Sequence, residues 1–402
     1  MENWSVIACD QFTSQPEYWR AVRKRVGEDV STLHLVFPEA ELGAPDCGGE
    51  ERIRQINRTM EQYLQQNRFR EYPDSYIYVE RTLLNGTVRR GIIGAIDLEA
   101  YDYQPDSSAD IRATERTVIE RIPPRKKIRE NAPIELPHVL LLANDEKRML
   151  IEPLTGQKDR LQKLYDFELM ENGGHVAGWL VSGEDREAFD RRLEQYAAEI
   201  PEAYADLTGA SLLFAVGDGN HSLATAKTCY EELKSSNPNL DFSSHPARFA
   251  LVELENIHDE AQQFEPIHRI LKSVDPDALL HAVRTSLGAE RPENGYPVVW
   301  HAQGRCGTLY LDRTKGQLPV GILQPFLDDY LRENGGEIDY IHGEEVLLGL
   351  TKEAGSIGFL LPAIEKNQLF RGLVADGVLP RKTFSMGHAC EKRYYLEARR
   401  IR

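Results

Sequence analysis

The glycine-rich segment G-D-G-N-H-S, residues 217–222, is the part of the sequence best suited to bind an anion. Gly217 and Gly219 allow the backbone to turn sharply and to approach a ligand closely. A helical pattern begins near His221, and the start of a helix directs unpaired amide groups and the positive end of its dipole at the preceding turn. The segment therefore predicts a site for a phosphate or a carboxylate.

The side chains of this turn add chemistry of their own. Asp218 could hold a metal ion or take a proton, and His221 could bond a phosphate oxygen or act as an acid or base. Asn220 and Ser222 would line the same site, with Lys227 one turn and a half farther along the helix. An ordinary strand–turn–helix connection, with Asn220 capping the helix, explains the same residues without a ligand. The pattern is neither a Walker loop nor a G-x-G-x-x-G fingerprint, so a P-loop or Rossmann protein is not predicted.

A second polar segment, F-E-P-I-H-R at 264–269, carries another candidate pair. Its proline is expected to precede a helix, which would place His268 and Arg269 in or near the first turn, facing an anion. A solvated acidic loop is the alternative. A metal site formed by His258, Asp259 and His268 is a further alternative, although this spacing matches no named metal site.

Two charged stretches could contribute to a site as well. In the first, Glu115 is a spare candidate for a general base. The basic residues around it could close over a polyanionic ligand or remain a solvated loop; they are Arg112, Arg116, Arg125 and Arg129. The second stretch, L-P-R-K-T-F at 379–384, could reach the site or merely precede a terminal strand.

These residues need a scaffold, and the hydrophobic pattern predicts a mixture of helices and strands. A hairpin turning at Asn85-Gly86 joins strands over 75–84 and 88–98, and a second hairpin is predicted at 138–153. Residues 101–137 are expected to be a long connection or lid. Further strands are predicted at 176–181, 211–216, 247–255, 297–301, 308–312 and 356–361. Helices are predicted at 16–26, 50–66, 183–200, 222–233, 269–287, 323–332, 344–352 and 366–375.

The predicted fold class is α/β to α+β, with mixed sheets flanked by helices and a strand–glycine turn–helix anion site. The 402 residues are enough for two or three cores. Three regions are expected: an N-terminal α/β region over 1–105, a central domain over 106–290 that carries both motifs, and a C-terminal α/β region over 291–402.

The composition narrows the class of function. A formal net charge of −16 repels a phosphate backbone, so nucleic-acid binding is disfavoured and a small-molecule substrate is expected. No apolar run reaches the roughly 18 residues of a membrane span, and the N-terminus lacks a signal-peptide pattern. A cytoplasmic protein is therefore predicted, its five scattered cysteines reduced and mostly buried. The oligomeric state stays open.

Four segments, in this order, resemble the bacterial and archaeal family known as domain of unknown function 1015: G-D-G-N-H at 217–221, F-E-P-I-H-R at 264–269, L-L-P at 360–362 and L-P-R-K-T-F at 379–384. The stretch I-R-A-T-E-R-T also resembles the family's H-E-x-T element. The family usually reads A-D-G-H-H-R at the first segment, so Asn220 replaces a histidine and Ser222 replaces an arginine. A missing arginine removes a bidentate phosphate donor, a role that would pass to Arg269 or Lys227.

The D-G-H-H-R element is also similar to the signature of the ParB and sulfiredoxin superfamily, which includes a free-serine kinase. The resemblance implies a nucleotide-dependent phosphotransferase that binds an ATP- or ADP-like nucleoside phosphate with Mg²⁺ and acts on a small hydroxyl-bearing molecule. Asp218 would hold Mg²⁺ or orient the acceptor, His221 would hold phosphate, and His268 with Arg269 would stabilise the developing charge. A catalytically silent nucleotide- or anion-binding regulatory protein is the alternative. ParB-like DNA binding would need a basic recognition face, which the acidic composition argues against.

Overall fold

The computed structural model describes residues 1–13, 15–41, 49–116, 122–207, 211–380 and 382–402. The helices run over α1 Pro16–Val26, α2 Gly49–Gln65, α3 Ile122–Arg129, α4 Glu152–Thr155, α5 Gly183–Ala203, α6 Asn220–Ser236, α7 Pro276–Leu287, α8 Pro319–Asn334, α9 Glu344–Leu350 and α10 Lys366–Asp376. Within these residues, no helix has both the length and the apolar character needed to cross a bilayer.

The strands, numbered in chain order, are β1 Tyr76–Thr82, β2 Val88–Asp97, β3 Tyr101–Asp102, β4 Ile111–Ala113, β5 Ile134–Glu135, β6 Leu140–Ala143, β7 Gln162–Glu168, β8 His175–Val181, β9 Phe214–Asp218, β10 Phe249–Asn256, β11 Phe264–Lys272, β12 Gly295–Ala302, β13 Arg305–Asp312, β14 Glu337–His342, β15 Ile357–Leu360, β16 Phe384–Met386 and β17 Arg399–Arg400. They form one large sheet, a second sheet and a two-stranded ribbon of β17 and β5.

The large sheet has the order β3-β4-β9-β6-β10-β2-β1-β8-β7. Its centre is mixed, because β6 runs antiparallel to β9 but parallel to β10. The second sheet has the order β13-β12-β15-β11-β14, and β16 also pairs with β11. Helices flank both sheets. The protein thus has the mixed α/β architecture that the sequence predicted.

Local sequence explains several of these elements. Helix α1 has a proline in its first turn and buries Trp19, Val22 and Val26 at helical spacing. The β1–β2 hairpin turns at Gly86, whose φ of +82° suits a residue without a Cβ. Strand β9 is buried on both faces over its first three residues, which is why its run F-A-V shows no polar alternation.

Other predicted elements were wrong. Residues 148–153 do not return as the second strand of a hairpin, since α4 starts at Glu152 and β6 pairs with β9 and β10 instead. Strand β7 was missed. The supposed connection over 101–137 contains β3, β4, α3 and β5, and β4 inserts between β3 and β9. The helix predicted from Arg269 begins only at Pro276, after the cap Asp275.

The C-terminal segment 386–401 packs against the N-terminus and completes the molecule. The indole N–H of Trp4 donates to the Tyr395 carbonyl (3.0 Å), and the Tyr394 N–H donates to the Val6 carbonyl (3.1 Å). An isolated bridge joins Ile7 to Arg393. The predicted domain limits at 105 and 290 stay predictions; the large sheet takes its strands from 76–256 and the second sheet from 264–386.

The cysteines in the described part of the chain are free thiols. The expectation that they are mostly buried is wrong, because Cys306 is exposed and Cys9, Cys229 and Cys390 are half-buried. Cys47 lies outside the described residues.

Candidate functional site

The glycine-rich turn has the predicted strand–turn–helix geometry. Strand β9 ends at Asp218, Gly219 adopts a left-handed conformation with a φ of +82°, and α6 starts at Asn220. A Cβ at position 219 would lie 2.4 Å from the carbonyl oxygen of His138, so only glycine fits there. No side chain of the cap residue covers the helix start. The first amides of α6 are therefore available to an anion.

Asp218 is the centre of a compact charged cluster. One of its oxygens, Oδ2, lies 2.9 Å from Nζ of Lys392 and 3.4 Å from Nε2 of His138. The other, Oδ1, accepts the N–H of Gly219 at 2.8 Å. Burial alone would raise the pKa of this carboxyl, but the charges of Lys392 and His138 outweigh it and hold the pKa well below its usual range. Asp218 is thus a persistent anion.

Backbone groups fix the positions of the two partners of Asp218. The Nδ1 atom of His138 lies 3.0 Å from the carbonyl oxygen of Arg393, which leaves Nε2 directed at the carboxylate. The carbonyl of Lys392 accepts the N–H of Ala8 at 2.7 Å. Burial tends to lower the pKa of Lys392, yet the pairing with Asp218 raises it above its ordinary value. The ammonium group therefore stays charged next to the start of α6.

Glu115 belongs to the same region. It follows β4, forms an isolated bridge with Leu379, and accepts the N–H of Thr383 at 3.3 Å. Burial raises the pKa of Glu115, the backbone amides of Lys382 and Thr383 oppose this, and the negative charge of Asp218 adds to the rise. The structure thus brings the predicted stretch 379–384 to the candidate base, although Arg381 lies outside the described residues.

The second sheet approaches this site through β16. A Cβ on Gly217 would lie 3.0 Å from Sδ of Met386 and 3.0 Å from the Leu142 side chain, so the absence of a side chain at Gly217 permits close packing. His342, at the end of β14, also faces the region: burial lowers its pKa, and the charges of Lys382 and Lys392 lower it further. The candidate site lies where the two sheets meet.

The remaining residues of the turn take different positions. The Oδ1 atom of Asn220 is buried and has no hydrogen-bond partner among the residues that the structure describes, so it does not cap the helix. The His221 ring is half-buried, and its carbonyl accepts the hydroxyl of Thr225 at 2.7 Å. Ser222 borders a cavity beside the helix. Of these three residues, Asn220 is therefore the one whose side chain has an unsatisfied polar atom among the residues described.

The ammonium group of Lys227 contacts residues outside the glycine-rich turn. Its ammonium donates to the Leu98 carbonyl at 2.9 Å and pairs with Glu231 at 2.9 Å, which directs it to another face of α6. It therefore cannot replace the arginine that Ser222 displaces in the family pattern.

His268 and Arg269 do not lie at a helix start, and that expectation is wrong. Both are buried on strand β11 of the second sheet. The Nδ1 atom of His268 accepts the N–H of Leu361 at 3.2 Å, and burial lowers the pKa of the ring. Arg269 is completely buried; its Nε donates to Gln324 at 2.5 Å, and its guanidinium lies 4.7 Å from the centre of the Tyr340 ring. Their contacts are those of structural residues.

The basic residues near Glu115 do not form one cluster. Arg112 donates to the carbonyls of Ser107 and Ser211, at 3.3 and 3.0 Å. Arg125 pairs with Glu39, and Arg129 pairs with Glu135 at 2.6 Å. Arg116 borders a different groove, lined by α8.

The alternative metal site at His258, Asp259 and His268 does not form either. His258 contacts the Asn144 side chain at 2.8 Å and Asp259 faces Arg90 at 3.4 Å, both in the turn after β10, whereas His268 lies on β11. Across the described ranges, no group of three His, Cys, Asp or Glu side chains could hold a metal ion. Asp218 already pairs with the Lys392 ammonium and faces the His138 ring, so it does not fit the role of a protein ligand for Mg²⁺.

Sequence reasoning missed His138 and Lys392. Neither residue lies in a recognisable motif, and each reaches Asp218 from a distant part of the chain. The only local signal was the predicted role of 379–384 as a segment that reaches the site, which lies just before Lys392.

The fold and this cluster define a mixed α/β protein with a charged strand–turn–helix site. A family profile described as "Protein of unknown function (DUF1015)" matches residues 1–335. The chain belongs to that family, as its motifs indicated. The curated proteins contain no match to this sequence.

Three solved structures are similar to the chain. A free serine kinase in complex with AMP has 10% identity and a TM-score of 0.40, with 77% of this chain and 92% of that chain covered. A conserved hypothetical protein from Pyrococcus furiosus has 10% identity and a TM-score of 0.36, with 73% and 90% covered. C-terminally truncated SbnI from Staphylococcus aureus has 8% identity and a TM-score of 0.37, with 73% and 82% covered. Similarity at this level assigns no activity to the chain.

Proposed function

We propose that the protein is a nucleotide-dependent phosphotransferase that acts on a small hydroxyl-bearing molecule. The observation that carries the proposal is the position of Lys392 and His138 around Asp218, at the start of α6, which has no side-chain cap. Helix amides and a fixed ammonium group together provide the donors that a phosphate requires. A small-molecule substrate and a cytoplasmic location belong to the same proposal.

Lys392 gives the turn the cation that its sequence lacks. Ser222 stands where the family pattern has an arginine, and neither Arg269 nor Lys227 contacts the turn. In the proposal, Lys392 and the first amides of α6 hold the phosphate chain, while Asp218 keeps Lys392 charged and in place. Asn220 adds a side-chain amide whose N–H groups would donate to the phosphate, while its Oδ1, which is only an acceptor, lacks a partner in the described part of the chain.

Glu115 is the proposed general base. Burial raises its pKa towards the pH at which a carboxylate exchanges protons efficiently with a hydroxyl. The acceptor oxygen forms a bond to the terminal phosphorus of the nucleoside triphosphate, and the bond from that phosphorus to the bridging oxygen breaks. The hydroxyl proton passes to Glu115, and the nucleoside diphosphate leaves.

Mg²⁺ has no assigned place in this step. Asp218 is already contacted by Lys392 and His138, so a divalent ion would enter with the nucleotide phosphates rather than on a protein cage. The binding assay is therefore run with and without Mg²⁺.

A catalytically silent anion-binding protein is the second candidate. The observation that favours it is that the charge of Asp218 is already balanced by Lys392 and His138, while Ser222 offers no charge to a transferring phosphoryl group. Such a protein would hold a nucleotide without turnover.

The test combines binding and turnover in the full-length protein. Thermal unfolding is measured with nucleoside mono-, di- and triphosphates, with and without Mg²⁺, for the native protein, Lys392→Met and His221→Ala. A ligand at one hundred times its dissociation constant stabilises the folded state by about 2.7 kcal/mol. The matched control is Lys227→Met, which removes a lysine of α6 that faces away from the turn.

We expect nucleotide stabilisation in the native protein and in the control, and its loss in Lys392→Met. Release of nucleoside diphosphate only when a small alcohol, hydroxy acid or hydroxyamino acid is present supports the phosphotransferase. Binding without release supports the silent protein. Absence of any nucleotide effect on thermal unfolding contradicts both.

A further inference from the structure

A compact cavity of about 140 Å³ lies beside the first turns of α6, between α2, α3 and strand β10. We call it the α6 cavity. Its walls are mainly apolar, and they include Leu35, Met60, Ile128, Val139, Ala226 and Leu251. The proposed phosphate chemistry makes no use of this space. The cavity is partly open to solvent, and concave sites with mainly apolar walls are where proteins commonly bind small ligands.

The α6 cavity adjoins the candidate phosphate site. Ser222 and Leu223, in the first turn of α6, form part of its wall. Val139 forms another part, and its Cα would lie only 2.9 Å from a Cβ built on Gly219. The same turn therefore separates the cavity from the amides that would hold a phosphate.

Charged groups connect the edge of the cavity to Asp218. Arg125 lines the cavity, pairs with Glu39, and lies 3.8 Å from Asp10. The charge of Asp10 in turn contributes to the raised pKa of Lys392, whose ammonium contacts Asp218. Cys9, also in the wall, is a neutral thiol at pH 7 because burial raises its pKa to about 11. The cavity thus has an apolar interior and a charged side that leads to the turn.

We infer that the α6 cavity binds a planar aromatic ring, the base of the nucleotide whose phosphates lie on the 217–222 turn. The inference rests on the proposed function and adds to it the part of the ligand that the cavity recognises. An apolar cavity of about 150 Å³ is large enough to bind benzene. Ligand sites commonly combine an apolar wall with a few polar groups that fix the orientation. Ser222 and Thr225 also line the cavity, and the Thr225 hydroxyl, which donates to the His221 carbonyl, can still accept a hydrogen bond from the polar edge of a base.

The experiment uses calorimetric titration of the full-length protein with cytidine and adenosine 5′-monophosphates, ribose 5-phosphate, adenosine and hexyl phosphate. Ala226→Leu fills the cavity from α6, and Met60→Ala enlarges it from α2. Lys227→Met is the control for disturbance of the helix. Far-ultraviolet circular dichroism verifies that each variant is folded. Met60→Ala keeps the test valid where Ala226→Leu fails to fold.

At least one nucleotide should bind the native protein about tenfold more tightly than ribose 5-phosphate, because only the nucleotide buries a ring. Ala226→Leu should abolish that advantage and leave the affinity for ribose 5-phosphate within about twofold of the native value. Met60→Ala should also weaken the nucleotide by about tenfold, because the ring loses its contacts with the wall. The control should match the native protein with every probe.

Nucleotide and adenosine affinities that stay unchanged in folded Ala226→Leu or Met60→Ala would overturn the inference. Tighter binding of hexyl phosphate than of either nucleotide would also overturn it, in favour of an alkyl chain. Adenosine separates this result from the proposed function, since it has a ring but no phosphate. If Ala226→Leu weakens adenosine while Lys392→Met leaves ribose 5-phosphate unaffected, the ring site stands and the phosphate assignment fails.

Discussion

Replacement of Lys392 by methionine removes the ammonium group that faces Asp218 and keeps most of the aliphatic side chain. The folded protein then retains a half-buried carboxylate at Asp218 with the His138 ring as its remaining side-chain partner. Burial now dominates the pKa of Asp218, so the carboxyl loses much of the reason for its low pKa. The variant should be less stable at neutral pH.

The exposed fractions of the two side chains set the size of the effect. Removal of one partner from a fully buried ion pair costs about 3–5 kcal/mol. An exposed pair contributes about 0.2–1 kcal/mol. Lys392 and Asp218 are 19% and 27% exposed, so their pair lies between these limits. We expect a loss of about 2 kcal/mol in the free energy of unfolding at pH 7.

The pKa shifts of Asp218 and Lys392 determine how the loss in the free energy of unfolding depends on pH. The folded-state pKa of Asp218 lies below its unfolded value of about 3.9, so its contribution to stability is complete above about pH 5 and is lost as the pH falls. The folded-state pKa of Lys392 lies above its unfolded value of about 10.4, so its contribution is complete below about pH 9 and is lost as the pH rises through the raised pKa. The difference between native protein and variant should be constant between about pH 5 and 9 and shrink on both sides.

Urea unfolding followed by circular dichroism, repeated across this pH range, measures the difference. Lys147→Met is the matched control, because Lys147 pairs with Glu199 at 2.7 Å on the exposed surface and its loss should leave stability unchanged. A loss below about 0.5 kcal/mol at pH 7, or a loss that is the same at pH 3.5 as at pH 7, would refute the account of the Asp218 pair.

Three further substitutions test other parts of the site. Gly219→Ala should lower the free energy of unfolding by more than about 2 kcal/mol in urea titrations, because the new Cβ meets a backbone carbonyl. The control Gly27→Ala, at a residue with a positive φ but open space around it, should cost about 1 kcal/mol. Equal losses would contradict the steric argument. Arg269→Met should cost about 2–3 kcal/mol by leaving the buried Oε1 of Gln324 without its donor, and nucleotide titration should show unchanged affinity. Glu115→Gln should be at least as stable as the native protein at pH 7, because the raised pKa of Glu115 makes its charged form unfavourable in the fold, and this advantage should vanish below about pH 4. The same variant should release no nucleoside diphosphate in the turnover assay, and full activity would remove Glu115 from the mechanism.

The sequence predicted best those parts of the fold whose signals are local. The β9–turn–α6 unit combines an apolar run, two glycines and a helical pattern within about two dozen residues, and each signal reports on its own neighbours. The β1–β2 hairpin is another case, since Asn85-Gly86 specifies the turn without reference to the rest of the molecule.

Strand β11 shows where such reasoning fails. Its neighbours β14 and β15 pair with it on both edges, and His268 to Leu271 are all buried, so the segment lacks the alternation of a half-exposed strand. An apolar run of that kind resembles a helix, and the true helix signal, Asp275-Pro276, comes several residues later. The prediction that Arg269 faces an anion failed as well. A buried arginine is satisfied by partners in the fold, here Gln324, which the sequence does not identify.

The sequence predicted two residues of the charged site and missed two others. Asp218 and Glu115 stand in recognisable segments, and the structure places both in one region. His138 and Lys392 are positioned by tertiary contacts with Arg393 and Ala8. Pairings of this kind depend on chain topology, which no local spacing encodes.

The contact between Lys392 and Asp218 also has a consequence for biosynthesis. The strands of the large sheet end at Asn256, so all of them have left the ribosome well before Lys392 is made. Domains fold as their residues emerge, with the N-terminal parts first. During the last third of translation, Asp218 has therefore been made while its ammonium partner has not. A chain that ends before residue 392 would contain every strand of the large sheet but not Lys392, and under the proposed function its loss of affinity for phosphate would report on the completeness of synthesis.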